Sequence, residues 1–154
     1  MAEDGVTSAP NFHATGLLVS DRGILITGAS GSGKSTLALA LIGHFRGQGL
    51  FSRLIADDQL FVSNLDGRLL CSAPPAIAGL AEVAGIGPQL VAYERQAMID
   101  LCVRLVPDAE MQRFQVDATV VIAGCEIAGI EVAARNVTAA LAAISTRLSI
   151  ASFR

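Results

Sequence analysis

Lysine is almost absent from this sequence. Of the eleven lysine and arginine residues, ten are arginine, and Lys34 is the only lysine. Lys34 lies inside a glycine-rich segment. A compact ammonium group on a thin stem can reach between phosphate oxygens, whereas a broad guanidinium group fits such a slot less well. The exception at Lys34 therefore indicates a specific chemical role for this side chain.

Positive charge is also scarce overall. Charged residues make up 16% of the chain, the net charge is −3 and the isoelectric point is about 5.2. A nucleic-acid-binding protein usually carries a basic face or stripe, and the sequence contains no such cluster. We therefore expect no nucleic-acid partner.

Long apolar runs are missing, although 52% of the residues are hydrophobic. No uninterrupted run approaches the roughly 18 residues that a membrane span requires. The first residues, MAEDGVTSAPNFH, are polar and carry two acids, and they lack the basic, apolar and small-residue regions of a signal peptide. The sequence therefore predicts a cytoplasmic protein without a membrane partner.

Cysteine is limited to Cys71, Cys102 and Cys125. The three are far apart, odd in number and surrounded by apolar residues. This pattern fits neither a metal site nor a disulfide framework, so we expect three buried thiols.

The chain length of 154 residues suits one ordinary domain. We expect a flexible tail over residues 1–12 and a single domain over 13–154. The patterns predict strands over 14–20, 23–27, 53–56, 59–63, 67–73, 97–106 and 117–124, and helices over 34–46 and 136–148. Residues 76–91 are expected to form a short helix or turn and then a loop around Glu82.

Several predicted strands follow one another with tight turns. Asn64-Leu65-Asp66-Gly67 is a hairpin signal between two of them, and Asp21-Arg22 is a predicted turn between two others. A protein that only alternated strands and helices would form a parallel sheet. We therefore predict an α/β fold with a mixed, largely antiparallel sheet.

The segment GASGSGKS, over residues 28–35, matches the pattern G-x-x-x-x-G-K-[ST] in full. It follows an apolar strand and begins a helix, as a phosphate-binding P-loop does. Lys34 is expected to contact the β- and γ-phosphates and Ser35 to bind Mg²⁺. The predicted ATP-binding residues are Gly28, Ala29, Ser30, Gly31, Ser32, Gly33, Lys34, Ser35 and Thr36.

Three acids and one histidine complete the candidate set. Asp57 and Asp58 end a predicted strand, where a carboxylate of a P-loop protein often holds Mg²⁺; the alternative is a solvated turn. Glu82 lies in a glycine-rich segment that suits an approaching ligand, and it is alternatively a solvated loop acid. His13 precedes the loop and is alternatively a surface or packed histidine.

Together and in this order, these features resemble the catalytic domain of the HPr kinase/phosphorylase family. The resemblance is carried by HATGLLVSDRGILITGASGSGKSTLALAL, RLIADDQ and AGLAEVAGIG. It implies a nucleotide core like that of phosphoenolpyruvate carboxykinase, with ATP and Mg²⁺ as cofactors. It also implies ATP-dependent phosphorylation of a serine on HPr, a phosphocarrier of the sugar phosphotransferase system. Many members reverse this reaction with inorganic phosphate, and longer members form hexamers, which implies a homo-oligomer.

The resemblance also implies roles for individual residues. His13 matches the active-site histidine, Lys34 the loop lysine, and Ser35 and Glu82 the Mg²⁺ ligands. Asp57 and Asp58 match the acidic pair, of which Asp58 is our choice for the proton acceptor.

Two arginines of the family pattern are missing. The loop that typically contains arginine after its glutamate has Ala84 at that position, and no arginine stands at the expected place in IAGCEIAGIEVAARN, where Arg135 comes a little late. Two alternatives to the HPr kinase therefore stay open. One is a small-molecule kinase or ATPase, and the other is a sensor of ATP or phosphate that binds HPr without turnover.

Overall fold

The computed structural model describes residues 11–112, 114–115 and 118–148. Two α-helices are present in this part of the chain, α1 (Lys34–Gly47) and α2 (Val137–Arg147), together with 3-10 turns at Pro75–Ile77 and Asp108–Glu110. The strands are β1 (Asn11–Phe12), β2 (Thr15–Val19), β3 (Arg22–Gly28), β4 (Ser52–Ala56), β5 (Leu60–Leu65), β6 (Arg68–Ser72), β7 (Leu80–Val83), β8 (Gly87–Leu90), β9 (Gln96–Met98), β10 (Leu101–Val106), β11 (Thr119–Ile122) and β12 (Cys125–Ala133).

These strands form three sheets. The largest has the order β11-β12-β10-β3-β2-β4, the second has the order β1-β5-β6-β9, and β7 and β8 form a separate hairpin. Only the pairings of β10 with β3 and β12 are parallel among the named strands of the described residues. The predicted mixed, largely antiparallel α/β fold is therefore confirmed.

The six-stranded sheet is the middle of three layers. Along β3, Ile24 and Ile26 face the helices, and Leu25 between them faces the four-stranded sheet. Successive side chains of a strand point to opposite faces, so a strand buried on both sides reads as a continuous apolar run. The segment GILIT owes its composition to this central position.

The topology gathers several chain segments at one edge of the six-stranded sheet. Strands β3 and β4 both pair antiparallel with β2, so they run in the same direction. The end of β3 at Gly28, the end of β4 at Ala56 and the start of β2 at Thr15 therefore meet. Strands β10 and β12, parallel to β3, also end there. In open α/β sheets, ligands bind beyond such strand ends.

Most predicted elements are confirmed, including α1, the β2–β3 pair, the β5–β6 hairpin and α2 with its Asn136 cap. The side-chain oxygen of Asn136 accepts a hydrogen bond from the N–H of Ala139 at 3.1 Å. The β2–β3 turn is formed by Ser20 and Asp21 rather than by Asp21 and Arg22, since Arg22 already pairs with Val19.

Three expectations about elements were wrong, and one strand was missed. Residues 97–106 form two strands in different sheets, β9 and β10, instead of one. The expected loop around Glu82 is the β7–β8 hairpin. The long strand β12 was not predicted. Asn11 and Phe12, assigned to a tail, pair with Phe61 and Leu60; residues 1–10 of that tail lie outside the described part.

None of the helices in the described residues combines the length and apolar character that a membrane crossing demands.

Candidate functional site

The glycine loop joins the end of β3 to the start of α1. At the end of the loop, Gly33 has a φ of 98°, a left-handed conformation that glycine adopts without a steric penalty. Gly28 is closely packed, because a Cβ atom there would lie 2.7 Å from Ser32 Oγ. The two glycines allow the backbone to turn sharply between the strand and the helix.

Lys34 lies across its own loop. Its Nζ donates hydrogen bonds to the carbonyl oxygens of Gly28 at 3.1 Å and Ala29 at 3.3 Å. The residue as a whole is 9% exposed. Two neutral carbonyl groups are modest partners for an ammonium group, so the charge of Lys34 is available to an anion at the loop.

The start of α1 is suited to an anion. Its cap residue Gly33 provides no side-chain hydrogen bond, and no acidic residue lies in the first turn. The first N–H groups of a helix lack intrahelical partners and carry a partial positive charge. Ser32 Oγ, also in the loop, is buried without a hydrogen-bond partner among the described residues. These donors fit phosphate oxygens.

Asp57 connects three segments of the site. Its Oδ1 accepts hydrogen bonds from the hydroxyl groups of Ser35 at 2.6 Å and Thr15 at 2.8 Å, and its Oδ2 accepts one from the N–H of Glu82 at 2.7 Å. The residue is buried. Its carboxylate is therefore held in one orientation by β2, α1 and β7.

Asp58 differs sharply from its neighbour. It is exposed, and its backbone has a φ of 69°. The N–H of Gln59 donates to the carbonyl of Asp57 at 2.8 Å, which makes Asp58 the centre of a γ-turn with positive φ, a rare and strained conformation. Strain of this kind occurs often at functional sites.

Asp57 and Asp58 line one cavity of about 500 Å³ with the glycine loop. Lys34, Ser35 and Glu82 line it as well. The full set of lining residues also includes Ser30, Gly31, Gly33, Thr36, Ile77, Leu80, Ala81, Ala84, Pro88 and Arg135. The structure thus brings together the loop, both aspartates and Glu82.

His13 does not line this cavity, but Thr15, two residues further along the chain, contacts Asp57 of the acidic pair. Its neighbours on either side are fixed, since Phe12 pairs with Leu60 and the Thr15 hydroxyl contacts Asp57. His13 itself is exposed. The antiparallel β2–β3 pair places Thr15 opposite Ile26, so the start of β2 lies near the glycine loop, and the pairing of β1 with β5 holds Phe12 on the other side of His13.

Arg135 is a site residue that the sequence analysis set aside. It follows β12, has a φ of 63°, and its Nη2 donates a hydrogen bond to the Gly31 carbonyl. Its place at the site depends on β12 lying parallel to β10. Recognising alternate apolar residues in Cys125–Ala133 as a strand would have placed Arg135 at this edge.

The oxygen atoms at the site fit Mg²⁺. Ser35 and Asp57 offer a hydroxyl and a carboxylate within 2.6 Å of each other, and the exposed Glu82 lines the same cavity. No group of three or more His, Cys, Asp or Glu residues in the described part could hold a metal ion by itself. Mg²⁺ commonly takes only one or two carboxylates and completes its shell with water and substrate phosphates.

The three cysteines lie away from the site and are buried, as predicted. They belong to the core between the six-stranded and four-stranded sheets. Burial raises the pKa of the Cys71 thiol to about 12, with a contribution from the nearby Cys102. Burial also raises the pKa of Cys102. Both thiols are therefore protonated at neutral pH and unsuited to act as nucleophiles.

Two similar proteins found by comparison with known sequences carry the same name. An HPr kinase/phosphorylase of Clostridium tetani is 43% identical over 83 residues, which cover 51% of this chain and 25% of that protein. For an HPr kinase/phosphorylase of Clostridium botulinum strain Eklund 17B the identity is 47%, over the same shares of the two chains. The aligned part thus spans about a quarter of the length of these relatives.

The fold matches a solved structure over almost its whole extent. The Hpr(Ser) kinase/phosphatase from Coxiella burnetii superimposes with a TM-score of 0.74 and 28% sequence identity, covering 93% of this chain and 99% of that one. The family model described as the HPr Serine kinase C-terminal domain matches residues 5–145. The chain therefore belongs to the HPr serine kinase C-terminal domain family.

Proposed function

We propose that this chain binds Mg-ATP at the glycine loop and transfers the γ-phosphoryl group to a serine of HPr. The observation that carries the proposal is the shared cavity, in which Asp57 is fixed by three hydrogen bonds while the adjacent Asp58 is exposed. Two neighbouring carboxylates in such different surroundings suit two different tasks. The choice of a serine of HPr as the phosphoryl acceptor rests on the names of the similar proteins.

The loop would bind the phosphate chain. Its backbone N–H groups and the start of α1 face the α- and β-phosphates, and Lys34 exchanges its two carbonyl partners for β- and γ-phosphate oxygens. Arg135, at the rim of the cavity, adds a guanidinium group that can bind phosphate oxygens in a bidentate manner. This arginine weakens the case for a sensor without turnover, which rested on missing arginines.

Ser35, Asp57 and Glu82 would hold Mg²⁺. When bound, the ion neutralises charge that develops on the β- and γ-phosphate oxygens. Asp57 orients the Ser35 hydroxyl through their hydrogen bond. The backbone N–H of Glu82 donates to the same carboxylate, so the strand that carries Glu82 is held beside Ser35 and Asp57 before the ion binds.

Asp58 would accept the proton of the acceptor serine. The serine oxygen forms a bond to the γ-phosphorus while the bond from that phosphorus to the β–γ bridging oxygen breaks, and ADP leaves. The serine proton moves to the Asp58 carboxylate. In the reverse direction, with inorganic phosphate as acceptor, the protonated Asp58 would return the proton to the serine oxygen, and pyrophosphate would form.

His13 would assist proton transfer at Asp58. Thr15, two residues further along the chain, binds Asp57, and the family resemblance implies an active-site histidine at this position. A His13→Ala variant with unaltered pH profiles for transfer in both directions would remove this role.

Mass spectrometry of HPr tests the proposal. The protein is incubated with Mg-ATP and the HPr of the same organism, with Lys34→Ala and Asp58→Ala as controls. A gain of one phosphoryl group on a serine, absent with both variants, is the expected result, and added phosphate then tests reversal. An unmodified HPr despite intact ATP binding would contradict the kinase, and ATP consumption without HPr would instead favour a small-molecule kinase or ATPase.

A further inference from the structure

A second cavity adjoins the first at the start of α1. It encloses about 240 Å³ between the first turns of α1 and α2. The two cavities share Gly33, Thr36 and Arg135. The second contains none of the residues assigned to the γ-phosphate and Mg²⁺, namely Lys34, Ser35 and Asp57. The second cavity therefore extends the phosphate site away from the residues assigned to the γ-phosphate and Mg²⁺.

The walls of the second cavity are largely apolar. They are formed by Leu37, Leu105, Ala133, Val137 and Ala140. A concave apolar surface with a few polar groups is typical of a site for a small organic ligand. The volume is below the range of roughly 300–1,000 Å³ for a whole drug-sized ligand, so it suits one ring system rather than a complete molecule.

The polar groups in this cavity are few and oriented by the fold. The side-chain oxygen of Asn136 is used by the α2 cap, where it accepts from the N–H of Ala139. Asn136 can therefore offer a ligand its NH₂ group, which only donates. The other polar side chains are those of Thr36 and Arg135.

The direction of the phosphate chain connects the two cavities. In a loop of this type, the lysine reaches the β- and γ-phosphates, while the backbone N–H groups cradle the α- and β-phosphates. The γ-end therefore lies beside Lys34 and Asp57. The α-phosphate, to which the nucleoside is attached, must leave the loop at the end near Gly33 and Thr36, where the second cavity opens.

We propose that the second cavity, between the first turns of α1 and α2, binds the base of a nucleoside triphosphate. This inference rests on the proposed function and specifies its nucleotide site. A purine fills the apolar walls better than a pyrimidine, and the NH₂ group of Asn136 can donate to a ring nitrogen. Guanine adds N–H donors at N1 and N2, whereas the NH₂ group of Asn136 and the guanidinium group of Arg135 only donate, so these donors would have only the Thr36 hydroxyl as a side-chain acceptor, at a cost in free energy. Adenine is therefore the favoured base.

Calorimetry with two ligands separates the base from the phosphates. Mg-ATP and Mg-tripolyphosphate, which lacks the nucleoside, are titrated into the wild-type protein. Because the base buries apolar surface, ATP should bind at least about tenfold more tightly, and GTP should bind more weakly than ATP. Equal affinities for ATP and tripolyphosphate would overturn the inference and leave the proposed function intact. If neither ligand binds, both fail.

A wall substitution with a matched control localises the effect. Val137→Phe fills the cavity, and Thr138→Phe places the same ring on the exposed side of the same helix turn. Val137→Phe should weaken ATP binding at least about tenfold and change tripolyphosphate binding less than twofold, while Thr138→Phe should change neither. ATP binding that is insensitive to Val137→Phe would overturn the inference.

Nuclear magnetic resonance of the wild-type protein tests the same proposal without any variant that could fail to fold. With methyl-labelled leucine and valine, nuclear Overhauser effects should connect the adenine protons of bound ATP to the methyl groups of Leu105 and Val137. Effects from adenine to other methyl groups only would place the base elsewhere and contradict the proposal.

Discussion

The hydroxyl group of Ser35 donates a 2.6 Å hydrogen bond to Oδ1 of Asp57. Ser35 lies in the first turn of α1, and Asp57 follows β4, so this contact joins the glycine loop to the acidic pair. The same carboxylate binds Thr15 and the backbone of Glu82. Asp57 therefore has a structural role that does not depend on any ligand, whereas the exposed Asp58 contacts Thr15 only through its backbone N–H.

Asp57→Ala should destabilise the protein strongly. The buried hydroxyl of Thr15 and the N–H of Glu82 would lose their acceptor, and each unsatisfied buried group costs about 1–3 kcal/mol. We expect the free energy of unfolding to fall by about 3 kcal/mol, measured by urea denaturation. Asp57→Asn, which keeps an acceptor oxygen, should cost less. An Asp57→Ala variant with the wild-type midpoint and slope would contradict this role.

Asp58→Gly should separate stability from activity. Glycine adopts the positive φ of this position freely, so the free energy of unfolding should stay the same or rise by up to about 1 kcal/mol. Phosphoryl transfer to HPr should be lost with the carboxylate. Asp58→Asn is the control that retains a side chain of similar shape, and it should be equally inactive. Marked destabilisation of Asp58→Gly would show that the aspartate side chain supports the turn.

Arg135→Ala should weaken Mg-ATP binding by about tenfold, because a guanidinium group at the rim of the cavity would no longer face the phosphates. Arg135→Lys should restore the affinity only in part, since an ammonium group cannot bind in a bidentate manner. Calorimetry measures both. Arg104→Ala removes an arginine paired with Glu131 and absent from both cavities. Equal effects of Arg104→Ala and Arg135→Ala would point to net charge rather than a specific contact.

Two glycine-to-alanine substitutions should have opposite effects on stability. At Gly23 a Cβ atom would lie 2.0 Å from the carbonyl oxygen of Met98, so Gly23→Ala should cost about 3 kcal/mol or more. Gly43 lies in the interior of α1 with no atom within 4 Å of such a Cβ. Gly43→Ala should stabilise the protein by about 0.5–1 kcal/mol. Thermal denaturation measures both, and a shift of the same sign would contradict the described packing.

The buried thiols should make the protein sensitive to alkali. The pKa of Cys71 is about 12 in the folded state, compared with the ordinary value of 9.0. Folding therefore favours the protonated thiol, and its contribution to stability is complete below pH 9 and is lost as pH rises toward about 12. The slope approaches about 1.4 kcal/mol per pH unit for this thiol.

Urea denaturation between pH 8 and pH 10.5 tests the thiol contribution. Cys71→Ala, which removes the titrating group, should show a shallower loss of stability with pH than the wild type. Parallel pH profiles for the two proteins would contradict the raised pKa.

Local sequence patterns were sufficient to predict many of the strands, helices and turns. The run GILIT, the helix-forming residues after Lys34 and the Asp66-Gly67 turn each set a local structure that tertiary contacts only reinforce. The break within residues 97–106 is different. Here Ile99 and Asp100 contact the backbone of Leu69 and Gly23 respectively, and these contacts move the chain from one sheet to another. An uninterrupted apolar pattern contains no sign of that change.

For the candidate site, the sequence by itself determined the glycine loop between a strand and a helix, its lysine and the order of the acidic residues, because a glycine pattern before a helix constrains the local backbone directly. The tertiary structure alone decided which aspartate is fixed, where Arg135 lies and that a second cavity opens beside Thr36. Each of these depends on strands that are distant in sequence ending at one edge of a sheet. Pairing between such strands buries apolar surface and forms backbone hydrogen bonds between distant parts of the chain. The resulting strand order therefore cannot be predicted from any short segment.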